Sequence, residues 1–311
     1  MLSRRTLLAA IGTATAMPVL PVRAAERLRV VASFSILADL VGQIGGGRVE
    51  VTTLIPPGVE AHGFDPRVQD MKAVATADVF VVNGLGFEPW AERVAKAAAF
   101  RGRGVVATRG VKALPMVERR VPGVKLAHSH AHGHDHGSFD PHAWQDVANT
   151  KRYAANIAEA LAAADAANAA YYSDTAARYA ATLDRLDTWI REQFRLIPRD
   201  RRRLLTSHES FNYYADTYDL DIFGAQGVSA ESEPSARAIA DLIAQIKAGN
   251  IRAAFLESAM SPRLVTEISR ETGVRIGGTL YADSLSAPGG PAATYEAMMR
   301  TNTTTIAAAL R

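Results

Sequence analysis

Short apolar runs, rich in β-branched residues, alternate along the chain with longer segments whose apolar residues recur at helical spacing. Leu28–Ser33 reads as a strand and Ile36–Ile44 as a helix. Val49–Ile55 is a strand that ends in Pro56-Pro57-Gly58, and Val68–Ala75 is helical. Val79–Asn83 is a strand, Pro89–Ala99 a helix and Val105–Thr108 a short strand. A period that switches repeatedly between two and 3.6 predicts βα units and a mostly parallel sheet. Residues 110–140 break the pattern with Pro115, Pro122, Gly123 and a histidine-rich run, and read as a long surface loop of the kind that is either functional or disordered.

Two alanine-rich helical segments follow, Asp146–Ala163 and Asn168–Leu196. The second carries Tyr172, Tyr179, Leu183, Leu186 and Ile190 on one stripe and stops before Pro198. It would span about 43 Å at 1.5 Å per residue, long for one lobe and suited to a helix that crosses between two. Its apolar positions do not sustain the heptads of a coiled-coil arm. The alternation then resumes with strands at Arg203–Thr206, Leu220–Ala225, Ala253–Leu256 and Arg275–Leu280. Helices at Phe211–Thr217, Ser235–Ala248, Pro262–Thr272 and Tyr295–Leu310 lie between and after them. The expected architecture is α/β, with two lobes that each hold a mostly parallel four-stranded sheet flanked by helices, joined by one long rigid helix. The expected divisions are 1–25, a cleaved leader; 26–165, a first lobe carrying the loop 110–140; 166–197, the linking helix; and 198–311, a second lobe. A mature length of about 285 residues exceeds what one core usually serves, which agrees with two domains.

Composition changes the picture at the N-terminus. Arg4-Arg5 precedes an apolar run from Leu7 to Val22, broken by Gly12 and Pro18, and Val22-Arg23-Ala24 fits a small-residue cleavage site. The run falls short of the roughly 20 apolar residues of a spanning helix. The arginine pair suggests twin-arginine export, with the general secretory route as the alternative. Cleavage would remove Arg4, Arg5 and Arg23 and no acid, which takes the formal net charge from +3 to zero. Nothing in that balance calls for a nucleic-acid partner. The chain has no cysteine, which excludes disulfides, thiolate metal ligation and a lipid-modified N-terminal cysteine. The expectation is an exported monomer, free in a periplasm and not membrane-anchored.

The eight histidines occupy four places. His128, His130, His132, His134 and His136 alternate through one stretch, and His62, His142 and His208 stand singly. Ligands of open α/β sheets bind beyond the carboxyl ends of strands. His62 follows the strand ending at Ile55, His142 follows the long loop after the Val105–Thr108 strand, His208 follows Leu204–Ser207, and Asp283 follows Thr279–Ala282. Two come from each lobe, and they could meet in a cleft between lobes. Three imidazoles and one carboxylate suit a borderline divalent ion such as zinc. A catalytic zinc usually keeps an open position, so four protein ligands favour capture over hydrolysis. Each residue also has an ordinary use: a loop histidine is commonly a hydrogen-bonded surface group, Asp283 could cap a turn, and Asp140 could cap the helix after Pro141.

Four segments, Gly58-Val-Glu-Ala-His62-Gly-Phe-Asp-Pro66, Asp140-Pro-His142-Ala-Trp144, Thr206-Ser-His208-Glu-Ser-Phe-Asn-Tyr213 and Leu280-Tyr-Ala-Asp283-Ser-Leu285, resemble those of the metal-binding solute receptors of zinc and manganese ABC importers. The resemblance covers essentially the whole mature chain. It implies two α/β lobes bridged by a rigid helix, with metal between them on His62, His142, His208 and Asp283. It implies a high-affinity receptor that hands its ion to a membrane permease driven by a separate ATPase; a periplasmic zinc chaperone is a further candidate partner that the sequence itself does not specify. Manganese members resemble one another in having glutamate at the third ligand position, so His208 favours Zn²⁺, with Mn²⁺ as the alternative cargo. Glu60, Glu209 and Glu257 lie near ligand positions and are candidates to orient an imidazole, though each serves equally as a solvated carboxylate. Such zinc receptors are similar to this chain in carrying a His-rich loop between the first and second ligands. The five tract histidines therefore read as an accessory, weaker set of metal ligands, because ordering a flexible loop costs entropy that a preformed cleft avoids.

No phosphate-binding loop Gly-x4-Gly-Lys-Ser/Thr occurs, which excludes the importer's ATPase. Gly84-Leu85-Gly86 lacks the third glycine of a dinucleotide fingerprint. His208-Glu-Ser-Phe-Asn212 is not His-Glu-x-x-His, and no Gly-x-Ser-x-Gly elbow appears. A receptor rather than an enzyme is expected, with a zinc-dependent hydrolase as the lesser alternative.

Overall fold

A computed structural model describes residues 27–116, 139–227 and 235–311. The leader, the five tract histidines and the centre of the 110–140 loop lie outside the described residues. The first sheet contains β1 (Leu28–Phe34), β2 (Val49–Ile55), β3 (Val79–Val82) and β4 (Arg103–Val106), in the order β2-β1-β3-β4 and parallel throughout. The second contains β5 (Arg203–His208), β6 (Asp221–Gln226), β7 (Ala253–Glu257) and β8 (Ile276–Leu280), in the order β6-β5-β7-β8 and again parallel. Each sheet thus repeats one winding. The central β1 is buried along most of its length, while the edge strand β2 alternates buried and exposed positions, as the two environments require.

Helices α1 (Ser35–Gly45), α2 (Val68–Thr76), α3 (Ala91–Ala97) and α4 (Val147–Ala164) flank the first sheet. The strand expected at Val105–Thr108 begins two residues earlier and ends at Val106, because Arg103 and Gly104 pair with Val79 and Phe80. Helix α5 (Ala169–Arg195) is 27 residues long, about 40 Å. Tyr172, Tyr179, Leu183, Leu186, Ile190 and Phe194 form its buried stripe. It packs on α4 and α1 at one end and on α6 (Asn212–Tyr218) and α9 (Tyr295–Leu310) at the other. Helices α7 (Ala236–Ala248) and α8 (Arg263–Thr272) complete the second lobe.

The main core is continuous from Val30 to Leu310 and unites both sheets with α5. A smaller core of Leu205, Phe223, Ile246, Ile251, Val265 and Ile268 lies under α7 and α8 on the other face of the second sheet. Polar ties cross between the lobes as well. Trp144 Nε1 donates to Ala282 O at 3.0 Å, Leu285 N to Ser35 Oγ at 3.0 Å, Gly58 N to Ser284 Oγ at 2.7 Å and Tyr295 N to Asp39 Oδ2 at 2.8 Å. Hydrogen bonds of this kind, two buried and two part-buried, join the carboxyl ends of the two sheets face to face.

Candidate metal site

The carboxyl ends of the strands bring four distant residues together. His62 stands on the loop between β2 and α2, His208 is the last residue of β5, and Asp283 lies just beyond β8. His142 precedes a short 3-10 turn, Ala143–Gln145, that leads into α4. The chain reaches it through a pinned junction, where Pro115 bridges Phe139 and Asp140 N donates to Leu114 O at 2.9 Å. One ligand atom from each of His62, His142, His208 and Asp283 lies within 4.8 Å of all the others.

The facing atoms are Nε2 of each imidazole and both oxygens of one carboxylate. Asp283 Oδ2 is 3.2 Å from His62 Nε2 and 3.1 Å from His208 Nε2, and its Oδ1 is 3.5 Å from His142 Nε2. His62 Nε2 and His142 Nε2 are 3.3 Å apart. His142, His208 and Asp283 are buried, and the His62 side chain is only 7% exposed. His208 Nε2 and Asp283 Oδ1 are close to other polar atoms yet make no aligned hydrogen bond. Buried polar atoms are ordinarily satisfied, so lone pairs converging on one point without hydrogen bonds fit a shared cation. Phe87 stands edge-on to His62, with ring centroids 5.1 Å apart, and Trp144 is 5.2 Å from His142. These rings exclude water from one side and lower the local dielectric.

Two imidazoles are held from behind. Asp140 Oδ1 is 2.8 Å from His142 Nδ1 and also accepts the His142 backbone N–H at 2.9 Å. Glu257 Oε2 is 2.8 Å from His208 Nδ1, a close ion-pair contact without aligned hydrogen-bond geometry, and Oε1 accepts the His208 N–H at 3.0 Å. A carboxylate behind a histidine fixes ring orientation and makes the forward nitrogen a stronger donor. The helix-cap use considered for Asp140 does not hold: α4 is capped by Asp146, whose side chain accepts Ala148 N–H. Glu60 accepts backbone N–H groups of His62 and Gly63 at 2.6 and 2.8 Å, so it shapes the loop rather than an imidazole ring. Glu209 is buried beside Gly224.

Electrostatics match this arrangement. Burial alone would lower the His208 pKa, but the carboxylates of Glu257 and Asp283 outweigh it and hold the imidazole well above its ordinary 6.5. Burial would raise Asp283, yet His142 and His208 hold it well below 3.8. Asp140 is likewise lowered, its burial being outweighed by His142. A narrow recess lined by Glu60, Ser258, Met260 and Asp283 reaches the site from the surface. A larger open groove, lined by Arg29, Asp78, Arg101 and Arg103, lies at the amino ends of the first sheet's strands, away from this chemistry.

Residues 30–309 match the family described as zinc-uptake complex component A, periplasmic. The chain belongs to that family. It is 32% identical over 285 residues to the manganese-binding lipoprotein MntA of Halalkalibacterium halodurans, covering 92% of this chain and 89% of that protein. It is 31% identical over 287 residues to the iron-binding protein YfeA of Yersinia pestis, covering 92% and 88%. Among solved structures, the periplasmic zinc-binding protein TroA of Treponema pallidum superposes with a TM-score of 0.80 at 28% identity, covering 92% of this chain and 99% of that one. Family members are solute-binding receptors and not enzymes, and the chain is accordingly the metal-binding, substrate-binding component of an ABC importer, which works with a permease and an ATPase. No helix among the described residues is long and apolar enough to cross a membrane.

Proposed function

We propose that this receptor captures Zn²⁺ with high affinity on His62, His142, His208 and Asp283 in a periplasm, as a soluble monomer, and delivers it to its permease. The supporting observation is the convergence of three buried Nε2 atoms and one carboxylate within 4.8 Å. Imidazole-rich sites favour zinc over manganese on the Irving–Williams order, and four ligands fill a tetrahedral shell. Lobes 26–165 and 198–311, joined through 166–197, supply two ligands each, and a periplasmic zinc chaperone is a natural donor partner. Manganese is the second reading. It is favoured by the name of the relative from Halalkalibacterium halodurans and by the two oxygens that Asp283 turns inward, which allow a higher coordination number. Metal analysis of natively exported protein, followed by zinc–manganese competition, separates them: zinc retained against excess manganese supports the first reading, and manganese retention sinks it.

Two further outcomes are expected. Zinc at about 1,000 times its dissociation constant should stabilise the protein by about 4 kcal/mol, or about 10 °C in melting temperature. A melting curve unchanged by zinc would contradict a preformed site. Deleting residues 128–136 should leave the tight site nearly intact and remove weaker additional zinc, because the four ligands sit at strand ends and on loops whose hydrogen bonds do not involve the tract. Loss of tight binding in an isothermal titration of the deletion variant would reverse that assignment.

A further inference from the structure

We propose that Asn83 is a positioning residue of the metal site, acting on His142 through the carbonyl of Pro141. The proposal rests on the reading of His142 as a ligand. Asn83 follows β3, is fully buried and touches no proposed ligand itself. Yet all its polar groups are engaged. Its Nδ2 donates to Pro141 O at 2.9 Å and to Gly84 O at 3.0 Å. Its Oδ1 accepts from the Tyr153 hydroxyl at 2.6 Å. Its backbone N–H donates to Glu88 Oε1 at 2.8 Å, and its carbonyl accepts from Thr108 Oγ1 at 2.7 Å. Its side chain thereby ties the end of β3 and the helix α4 to the peptide immediately before His142, and its backbone carbonyl ties in Thr108 beyond β4.

The tripeptide Asp140-Pro141-His142 is gripped from the other side as well. Asn212 Nδ2 donates to Asp140 Oδ2 at 3.0 Å, and the Tyr213 hydroxyl donates to Asp140 O at 3.0 Å. Asn83 therefore supplies the first lobe's half of a clamp whose other half belongs to α6. Proline at 141 has no N–H of its own, so its carbonyl is the handle that the Asn83 amide can hold. An aspartate at 83 would lack the amide donor, and an apolar residue would leave the Tyr153 hydroxyl without this partner and the Pro141 carbonyl with the Ala143 N–H alone, at 2.8 Å.

Gly84-Leu85-Gly86, which makes no dinucleotide fingerprint, has its use here. All three residues have positive φ, at 89°, 55° and 85°. A Cβ at Gly84 would come within 2.5 Å of Val106 Cγ1, so this tight turn requires glycine. The Glu88 carboxylate holds the turn closed by accepting from Ser33 Oγ at 2.5 Å, Asn83 N and Gly84 N. Leu85 in the left-handed region is strained, and strain of this kind persists where surrounding structure fixes it. The turn delivers Phe87 to the edges of His62 and His142. Asn83 thus sits where the orientation of His142 and the apolar wall beside it are set together.

The test is a double-mutant cycle on the full chain, with zinc affinity read by competition against a chromophoric chelator. Asn83→Ala is expected to weaken zinc binding about tenfold, the lower end for an outer-shell partner. In a His142→Ala background the same change should add less than about twofold, because the route through His142 is already gone. Asn156→Ala is the control for general loosening. Asn156 is also buried on α4 and donates to two carbonyls, Ala107 O and Arg109 O, but does not touch the 140–142 tripeptide. It should leave affinity within about twofold of the parent. Should Asn83→Ala fail to fold, Tyr153→Phe removes only the hydroxyl that anchors Asn83 Oδ1, and should give a smaller loss that also disappears with His142→Ala. Equal losses with and without His142, or parental affinity in both variants, would overturn the proposal. Parental affinity in His142→Ala alone would instead overturn the ligand assignment, and the positioning role with it.

Discussion

Zinc binding by the His208→Ala protein is expected to be about two to three orders of magnitude weaker than in the parent. Binding free energies of roughly 10–16 kcal/mol for a four-ligand zinc site amount to about 2.5–4 kcal/mol per ligand, and each 1.4 kcal/mol is tenfold. His208 should show this loss fully, because it is buried, ends a central strand and is held from behind by Glu257. Its removal also leaves Glu257 and Asp283 facing one another with no imidazolium between them. The metal-free variant should therefore be less stable than the parent, since breaking a buried charge pair is costly. Isothermal titration and melting curves on the same samples read both effects. An affinity within tenfold of the parent would remove His208 from the ligand set.

The pH dependence of stability should differ between the empty and the loaded protein. The His208 pKa is raised well above 6.5 by Glu257 and Asp283, against the effect of burial. A group raised in the folded state contributes stability that is fully present below its unfolded value and is lost as pH rises through the folded value. The metal-free protein should therefore lose stability between pH 6.5 and the raised His208 value. Zinc needs the neutral imidazole and expels that proton. Over the same window its affinity should rise about tenfold per pH unit for each proton released, which offsets that loss, so the stability of the loaded protein should stay nearly level. Below about pH 3.8 the two depressed carboxylates, Asp140 and Asp283, begin to protonate and both forms should weaken. Melting temperatures that moved in parallel with pH, with and without zinc, would show that His208 releases no proton on binding. Acid would then be no route to metal release.

The fold was legible because its signals are local. Continuous apolar runs such as Leu28–Phe34 mark central parallel strands, and the stripe from Tyr172 to Phe194 marks a helix buried on one side. The rule that ligands gather at the carboxyl ends of strands singled out the four residues that the structure brings together. The supporting carboxylates were harder to see, for two different reasons. His208 and Glu257 are 49 residues apart, on neighbouring strands whose order no local pattern reveals. Asp140 and His142 are two residues apart, but Asp-Pro before a helix also reads as a cap, and only the true cap at Asp146 excludes that use. Asn83 left no trace in periodicity, since a buried amide at a strand end looks like any loop residue until its partners on three elements are known.

The continuous core bears on delivery as well. One apolar cluster and several buried or part-buried hydrogen bonds join the lobes, so wide opening about a free hinge would break many contacts at once. The segment that carries His62, with Pro56, Pro57 and Gly58 exposed, is more lightly held than the strand that carries His208.

Zinc K-edge X-ray absorption on protein loaded with one equivalent of zinc tests the central claim most directly. Three imidazole nitrogens and one carboxylate at about 2.0–2.2 Å are expected, and this shell should be unchanged when residues 128–136 are deleted. A shell of four or more imidazoles, or one that vanishes with the tract, would place the first zinc outside the cleft and contradict the account.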